Sequence, residues 1–325
     1  MFLADGRVDP AASDNYAIKL SCLYGRTDVV RLLLNDECID PAAGTNEAIL
    51  KSSLYGHTDV VKLLLADGRA DPTAMDNYAI QYSSENGHTD VVQLLLADGR
   101  ADPSAKHNHA IRGSSHDGHT DVVKLLLADG RANPASWDNY AILFGSEYGH
   151  ADVVQLLLAD GRADPTASIN FAIRLSSACG HADVVKLLLA DGRVDPTAFN
   201  NRAIQESSKN GHANVVRLLL ADGRADPAAD YNHAIRYSSL QGHADVVRLL
   251  LADGRSGPTA EGNITIRLSS CHGHTDIVQL LLEDGRVDPA AKDNCAIRES
   301  SQAGYTDVVK LLLADGRVDP FFRVH

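Results

Sequence analysis

Every proline in the chain falls in one register. The 11 prolines, from Pro10, Pro41 and Pro72 through to Pro320, each stand 31 residues after the one before. Glycines keep the same step from Gly25, Gly56 and Gly87 to Gly304. Ten complete units thus occupy residues 10–319 without an insertion or deletion. A chain that repeats itself in this way buries its core by laying each unit on the next, so its 325 residues form one array rather than the two domains that length alone suggests. Residues 1–9 read as the remnant of a truncated repeat. Residues 320–325 leave the pattern, and Phe321 and Phe322 are expected to fold over Leu311, Leu312 and Leu313 as a makeshift cap.

The third unit, Pro72 to Asp102, serves as the sample. It opens with Pro-Thr-Ala and a variable tip, Met75-Asp76. Proline fixes φ and lacks an N–H, which predicts a short extended finger or turn. An asparagine recurs in every unit at the position of Asn77, and is expected to cap the helix that follows it. That first helix is predicted over about Tyr78 to Asn86. At 100° per residue, Ala79, Ile80, Ser83 and Ser84 share one arc that hardly changes between units. Tyr78, Gln81, Tyr82 and Glu85 share the opposite arc, which varies. Gly87 is expected to end the helix in a left-handed conformation. A second helix is predicted from Thr89 to Asp98, with Asp90 favoured by the dipole of its first turn. Its apolar residues Val91, Val92, Leu94, Leu95 and Leu96 cover more than half the circumference, as suits a helix with neighbours on both sides. One unit has too few apolar side chains to offset the ordering of its own backbone, so stability belongs to the stack.

The run Gly87-His88-Thr89-Asp90-Val91-Val92-Gln93-Leu94-Leu95-Leu96-Ala97-Asp98-Gly99 closely resembles the second half of an ankyrin repeat. The first half departs from that family, with Ala79-Ile80-Gln81 or Ala172-Ile173-Arg174 where ankyrin repeats carry Pro-Leu-His, and a serine pair for paired alanines. The units are also shorter than the family's, which run to about 33 residues. The resemblance covers residues 3–319. It implies an all-α, ankyrin-type solenoid of stacked helix-turn-helix repeats, acting as a non-catalytic protein-protein interaction scaffold through its finger tips and the varied face of the first helix. Two other readings stay open: an adaptor fragment of a longer protein, and a passive structural spacer.

Charge narrows the partners. The chain holds 43 acidic and 30 basic side chains, a formal charge of −13. That balance opposes binding to a phosphate backbone, so no nucleic acid is expected, and a protein partner is expected to be basic rather than acidic. The five cysteines are scattered and form no CxxC, which points to reduced thiols and a cytoplasmic or nuclear setting. Residues 1–10 lack the features of a signal peptide, and no apolar run approaches the roughly 20 residues of a membrane helix. The array is expected to be monomeric, with no cofactor and no metal.

Eight histidines recur at the position of His88. Equivalent positions in stacked helices lie about 8–10 Å apart, too far to share a zinc ion bonded at about 2 Å, so packing or capping is expected. Ser84, His88 and Asp90 have the residue types of a hydrolase triad, yet the trio recurs in most units and so marks scaffold. The varied stripe differs. Its first position is held in turn by Tyr16, Glu47, Tyr78, His109, Tyr140, Phe171, Arg202, His233, Ile264 and Cys295. It is either a partner-facing surface or one left free to drift. Unit five stands out. Trp137, the only tryptophan, steps by three, four and four residues to Tyr140, Phe144 and Tyr148. Leu143 replaces the usual basic or amide residue there, and Gly145 replaces a serine. These rings either anchor a partner or pack against a neighbouring unit. Phe171 and Leu175 are expected to extend the patch, with Tyr78, Tyr82, His109 and Arg202 as further contact residues.

Overall fold

The computed structural model describes residues 9–318. Among them are twenty helices, two per repeat, and no strand. First helices run from Ala12–Leu23 in repeat one to Ala291–Ala303 in repeat ten, and second helices from Thr27–Leu34 to Thr306–Asp315. The all-α solenoid of helix pairs is therefore what the chain forms. It divides between Asp164 and Pro165 into two compact units, of repeats one to five and six to ten. Within each unit the first helices of successive repeats pack on one another, as do the second helices. The expected terminal remnant, apart from Asp9, and the Phe321–Phe322 cap lie outside the described residues.

The arcs read from the sequence sort as their chemistry requires. Ala79, Ile80, Ser83 and Ser84 are fully buried, as are Val91, Val92 and Leu95, while Leu94 and Leu96 are half-buried. Gly87 ends the first helix with φ at 73°. The His88 N–H then reaches back to the Ser83 carbonyl at 2.8 Å and the Gly87 N–H to that of Ser84 at 3.2 Å, the paired closure of a left-handed helix end. The second helix spans Thr89–Asp98 and stops at Gly99.

The segment between proline and first helix takes the turn, of the two forms expected, and not the extended finger. Pro72 and Thr73 form a turn capped by Asp71, whose carboxylate accepts the Thr73 N–H at 2.8 Å and its hydroxyl at 2.7 Å. Met75, Asp76 and Asn77 then take φ values of 52°, 58° and 68°, a left-handed turn that every repeat adopts. Each such residue costs about 1–2 kcal/mol unless it is glycine, and glycine does stand at Gly44 and Gly262.

Two sequence readings change as a result. Asn77 does not cap its own helix. Its side-chain oxygen accepts the N–H of Asp102, 25 residues on, at 2.7 Å. Its left-handed conformation turns the side chain from its own helix to the end of the repeat, just before Pro103, and asparagine tolerates that conformation well. Nor is the Gln81 position part of the exposed arc. Gln81 is buried, and its amide donates to the Asp76 carbonyl. Gln205 donates likewise to Asn200 at 2.6 Å, Arg112 to His107 at 2.9 Å and Arg174 to Ile169 at 3.0 Å. The left-handed turn leaves carbonyls without helical partners, and a long donor on the first helix folds back to meet them.

Three polar bonds recur along the stack within each unit, one inside the repeat and two to the repeat before. Besides the asparagine bridge, His88 Nε2 lies 2.9 Å from the Leu54 carbonyl, closing the end of the preceding first helix. Its ring fills the space over Gly56, where a Cβ would come within 2.6 Å of His88 Nδ1. Tyr305 takes the same seat over Gly273. Arg100 grips Asp98 through Nε at 2.7 Å and Nη2 at 2.9 Å, and extends Nη1 to the Ala70 carbonyl at 3.2 Å. The arginine clamp was not foreseen, although its Asp-Gly-Arg signature recurs along the sequence from Asp67 to Arg317.

Candidate functional site

The first helix of repeat five, Ser136–Glu147, carries the aromatic row in the first compact unit. Trp137 is the first of its three left-handed residues, at φ 54°, and the turn lifts the indole to 60% exposure. Tyr140 and Phe144 are half-buried, and Tyr148 is 48% exposed. Ring centroids lie 6.1 Å apart from Trp137 to Tyr140, 4.0 Å to Phe144, and 6.4 Å on to Tyr148. The spacing of four brings one ring above another on a helix face, so the four read from the sequence do form one row.

Repeat four supplies its flank. His107 lies 6.2 Å from Trp137, and His116 lies 6.1 Å from Phe144 and 4.5 Å from Tyr148. The Arg112 guanidinium sits 4.0 Å over the Trp137 ring and 5.3 Å from that of Tyr140. It is only 8% exposed, and burial lowers its pKa from the usual arginine value. Burial also raises the Tyr140 phenol. Gly113 replaces the large side chain that Tyr82 and Phe144 contribute at the same position. The notch it leaves, of about 150 Å³, is lined by Glu85, His109, Arg112, Gly113, His116 and Tyr140.

The remaining expected contacts fall in two sets. In the first unit, the Tyr78 and Tyr82 ring centroids lie 4.1 Å apart and tilted by 32°, Tyr82 lies 5.4 Å from His109, and His109 bonds Glu85 at 3.2 Å. All three expected residues are half-buried and lead to the notch. Phe171, Leu175 and Arg202 belong to the second unit. Phe171 and Leu175 are half-buried, Arg174 lies 5.3 Å from Phe171 and 4.9 Å from the exposed Phe199, and exposed Arg202 pairs with Glu206 at 2.8 Å. Arg112 and Gly113 were not singled out from sequence. The signal was there in the helix Ala105–His116, which has Lys106, His107, His109, Arg112 and His116 and no carboxylate.

Other residues that suggested chemistry have structural employment. The Ser84 hydroxyl has no hydrogen-bond partner, and His88 is engaged by Leu54, so the Ser-His-Asp trio is not connected. Cys22 is buried, and its thiol pKa is pushed up to about 12. A wider groove of about 590 Å³ lies along the second helices of the second unit, but its Asn214, Arg217, Asp245 and Arg248 all face solvent and it holds no Phe, Tyr or Trp. Among the described residues no group of three or more His, Cys, Asp or Glu side chains could hold a metal ion, and no helix is long and apolar enough to cross a membrane.

The helix-pair stack with its Gly-His and Asp-Gly registers places the chain in a class of repeat proteins. The family model for ankyrin repeats in three copies matches residues 49–136, 80–169, 169–259 and 237–321, and the chain belongs to the ankyrin-repeat family. No curated protein matches it. Ankyrin repeats are generally protein-protein interaction modules, typically without catalytic activity and commonly intracellular.

Proposed function

We propose that this chain is a non-catalytic protein-interaction scaffold whose contact surface centres on the aromatic row of repeat five. One observation carries the reading: Trp137 and Tyr148 stand 60% and 48% exposed at the ends of a run of rings already in mutual contact. Large rings held in place before binding lose little entropy when a partner covers them, and aromatic anchors dominate interface energetics. Tyr78, Tyr82 and His109 widen the surface. Phe171, Leu175 and Arg202 offer a further surface on the second unit. The excess of carboxylates favours a partner with a basic exterior by long-range attraction. A monomer in the cytoplasm suits this role.

The test is affinity purification with the full chain and with its W137A/Y140A variant, followed by measured affinity for the partner recovered. The variant is expected to bind about tenfold or more weakly, with its helical circular dichroism unchanged. Equal affinity in a folded variant would overturn the assignment. A folded array that recovers no partner would favour a passive spacer instead.

A further inference from the structure

The contact surface contains a buried cation without a counterion. Among the described residues, Arg112 pairs with no carboxylate; its hydrogen bonds go to backbone carbonyls, from Nε to His107 at 2.9 Å and from Nη2 to Lys106 at 3.2 Å. The same position is treated differently elsewhere: Lys19 meets Asp14 at 2.8 Å, and Arg236 meets Glu261 at 3.2 Å. Arg112 is nine-tenths buried beneath Trp137, and it lines the Gly113 notch. The only carboxylate in the notch, Glu85, is already held by His109 at 3.2 Å. A buried charge without an opposite charge is costly, and this one faces a space of about 150 Å³, which suits one side chain rather than a free-standing ligand.

We propose that the Gly113 notch receives the carboxylate of a glutamate or aspartate side chain presented by the protein partner. The carboxylate meets the Arg112 guanidinium from the notch side, while the partner's neighbouring apolar residues lie on Tyr140 and Phe144. Overall charge and local charge act at different ranges: the net charge of −13 attracts basic surfaces at a distance, whereas the acid-free helix Ala105–His116 selects an acidic side chain at contact. The inference rests on the aromatic row being the contact surface, and adds the chemistry recognised there.

Two substitutions probe it, the first with the fold protected. R112Q removes the charge yet keeps a donor for the turn carbonyl, as Gln205 does for Asn200 at 2.6 Å. G113L fills the notch with the residue that Leu20, Leu175 and Leu268 place at the same position, and it must push Glu85 aside, because a Cβ at Gly113 would stand 3.2 Å from that of Glu85. The probes are the blocked peptides Ac-Phe-Glu-Phe-NH2 and Ac-Phe-Gln-Phe-NH2. Binding to the full chain is read from the emission of Trp137, the sole tryptophan, and from the Arg112 Nε–Hε resonance. The Glu peptide is expected to move both signals to saturation, and the Gln peptide to bind about tenfold or more weakly. R112Q and G113L should each bring the Glu peptide down to the Gln level, R112Q with an unfolding midpoint near wild type and G113L with a folded helical spectrum. Equal binding of the two peptides, equal binding of the Glu peptide to wild type and R112Q, or no response at either probe would overturn the proposal. If W137A/Y140A loses the recovered partner while R112Q and G113L retain it, the notch assignment falls and the interaction surface stands.

Discussion

Asn77 meets two demands at once. It sits in a left-handed turn at φ 68°, which asparagine tolerates better than most residues, and it accepts the N–H of Asp102, the last residue before the following repeat, at 2.7 Å. Replacing it with alanine removes both advantages. N77A is expected to lower stability by about 1–2 kcal/mol, by loss of the hydrogen bond and of the left-handed preference. Hydrogen exchange locates the cause: the Asp102 amide should exchange faster in the variant. Faster exchange confined to the amides of Ala79 and Ile80 would instead restore the capping role that the sequence suggests for Asn77.

At the level of the element, the first helix contains a serine pair whose members differ. Ser114 Oγ donates to the Ala110 carbonyl at 2.8 Å, whereas the Ser115 hydroxyl is buried with no partner. The second serine is equally orphaned from Ser53 in repeat two to Ser270 in repeat nine. Nothing in the packing of this position requires a hydroxyl. S115A should therefore stabilise the chain by about 0.5–1.5 kcal/mol, by removing an unsatisfied polar group and improving helix propensity. S114A should stay within about 0.5 kcal/mol of wild type, because the lost bond and the gained propensity nearly offset each other. Urea unfolding of the two variants distinguishes these outcomes.

Over the whole molecule, the Asp-Gly-Arg clamp links acidity to stability. From Asp67 and Asp98 through to Asp315, hydrogen bonds from the arginine two residues on hold the carboxyl below its usual pKa. A lowered folded pKa means that the unfolded chain binds more protons in the acid range, so stability falls as pH falls. The clamps should contribute fully above about pH 5 and fade below about pH 4, the ordinary aspartate range. D98N should consequently be less stable than wild type at neutral pH, with the gap narrowing as the pH falls below about 4. Urea midpoints across that range check the sign, and a gap that widens on acidification would contradict it.

What the sequence determined alone is the period, the helix pair, the buried arc and the aromatic row. These depend on local rules, 100° per residue along a helix and glycine at a left-handed end, that are restated ten times and so rise above the noise of any single unit. The tertiary structure decided where the recurring polar groups turn. Asn77, His88 and Arg100 find partners 25, 34 and 30 residues away, Asn77 at the far end of its own repeat and the other two in the repeat before. No local rule encodes those pairings, because they require a left-handed turn and a neighbouring helix end to be in place. The same holds for Arg112. In the chain it is one more basic residue on a varied helix, and only packing beside the Trp137 and Tyr140 rings makes it a buried cation at the Gly113 notch.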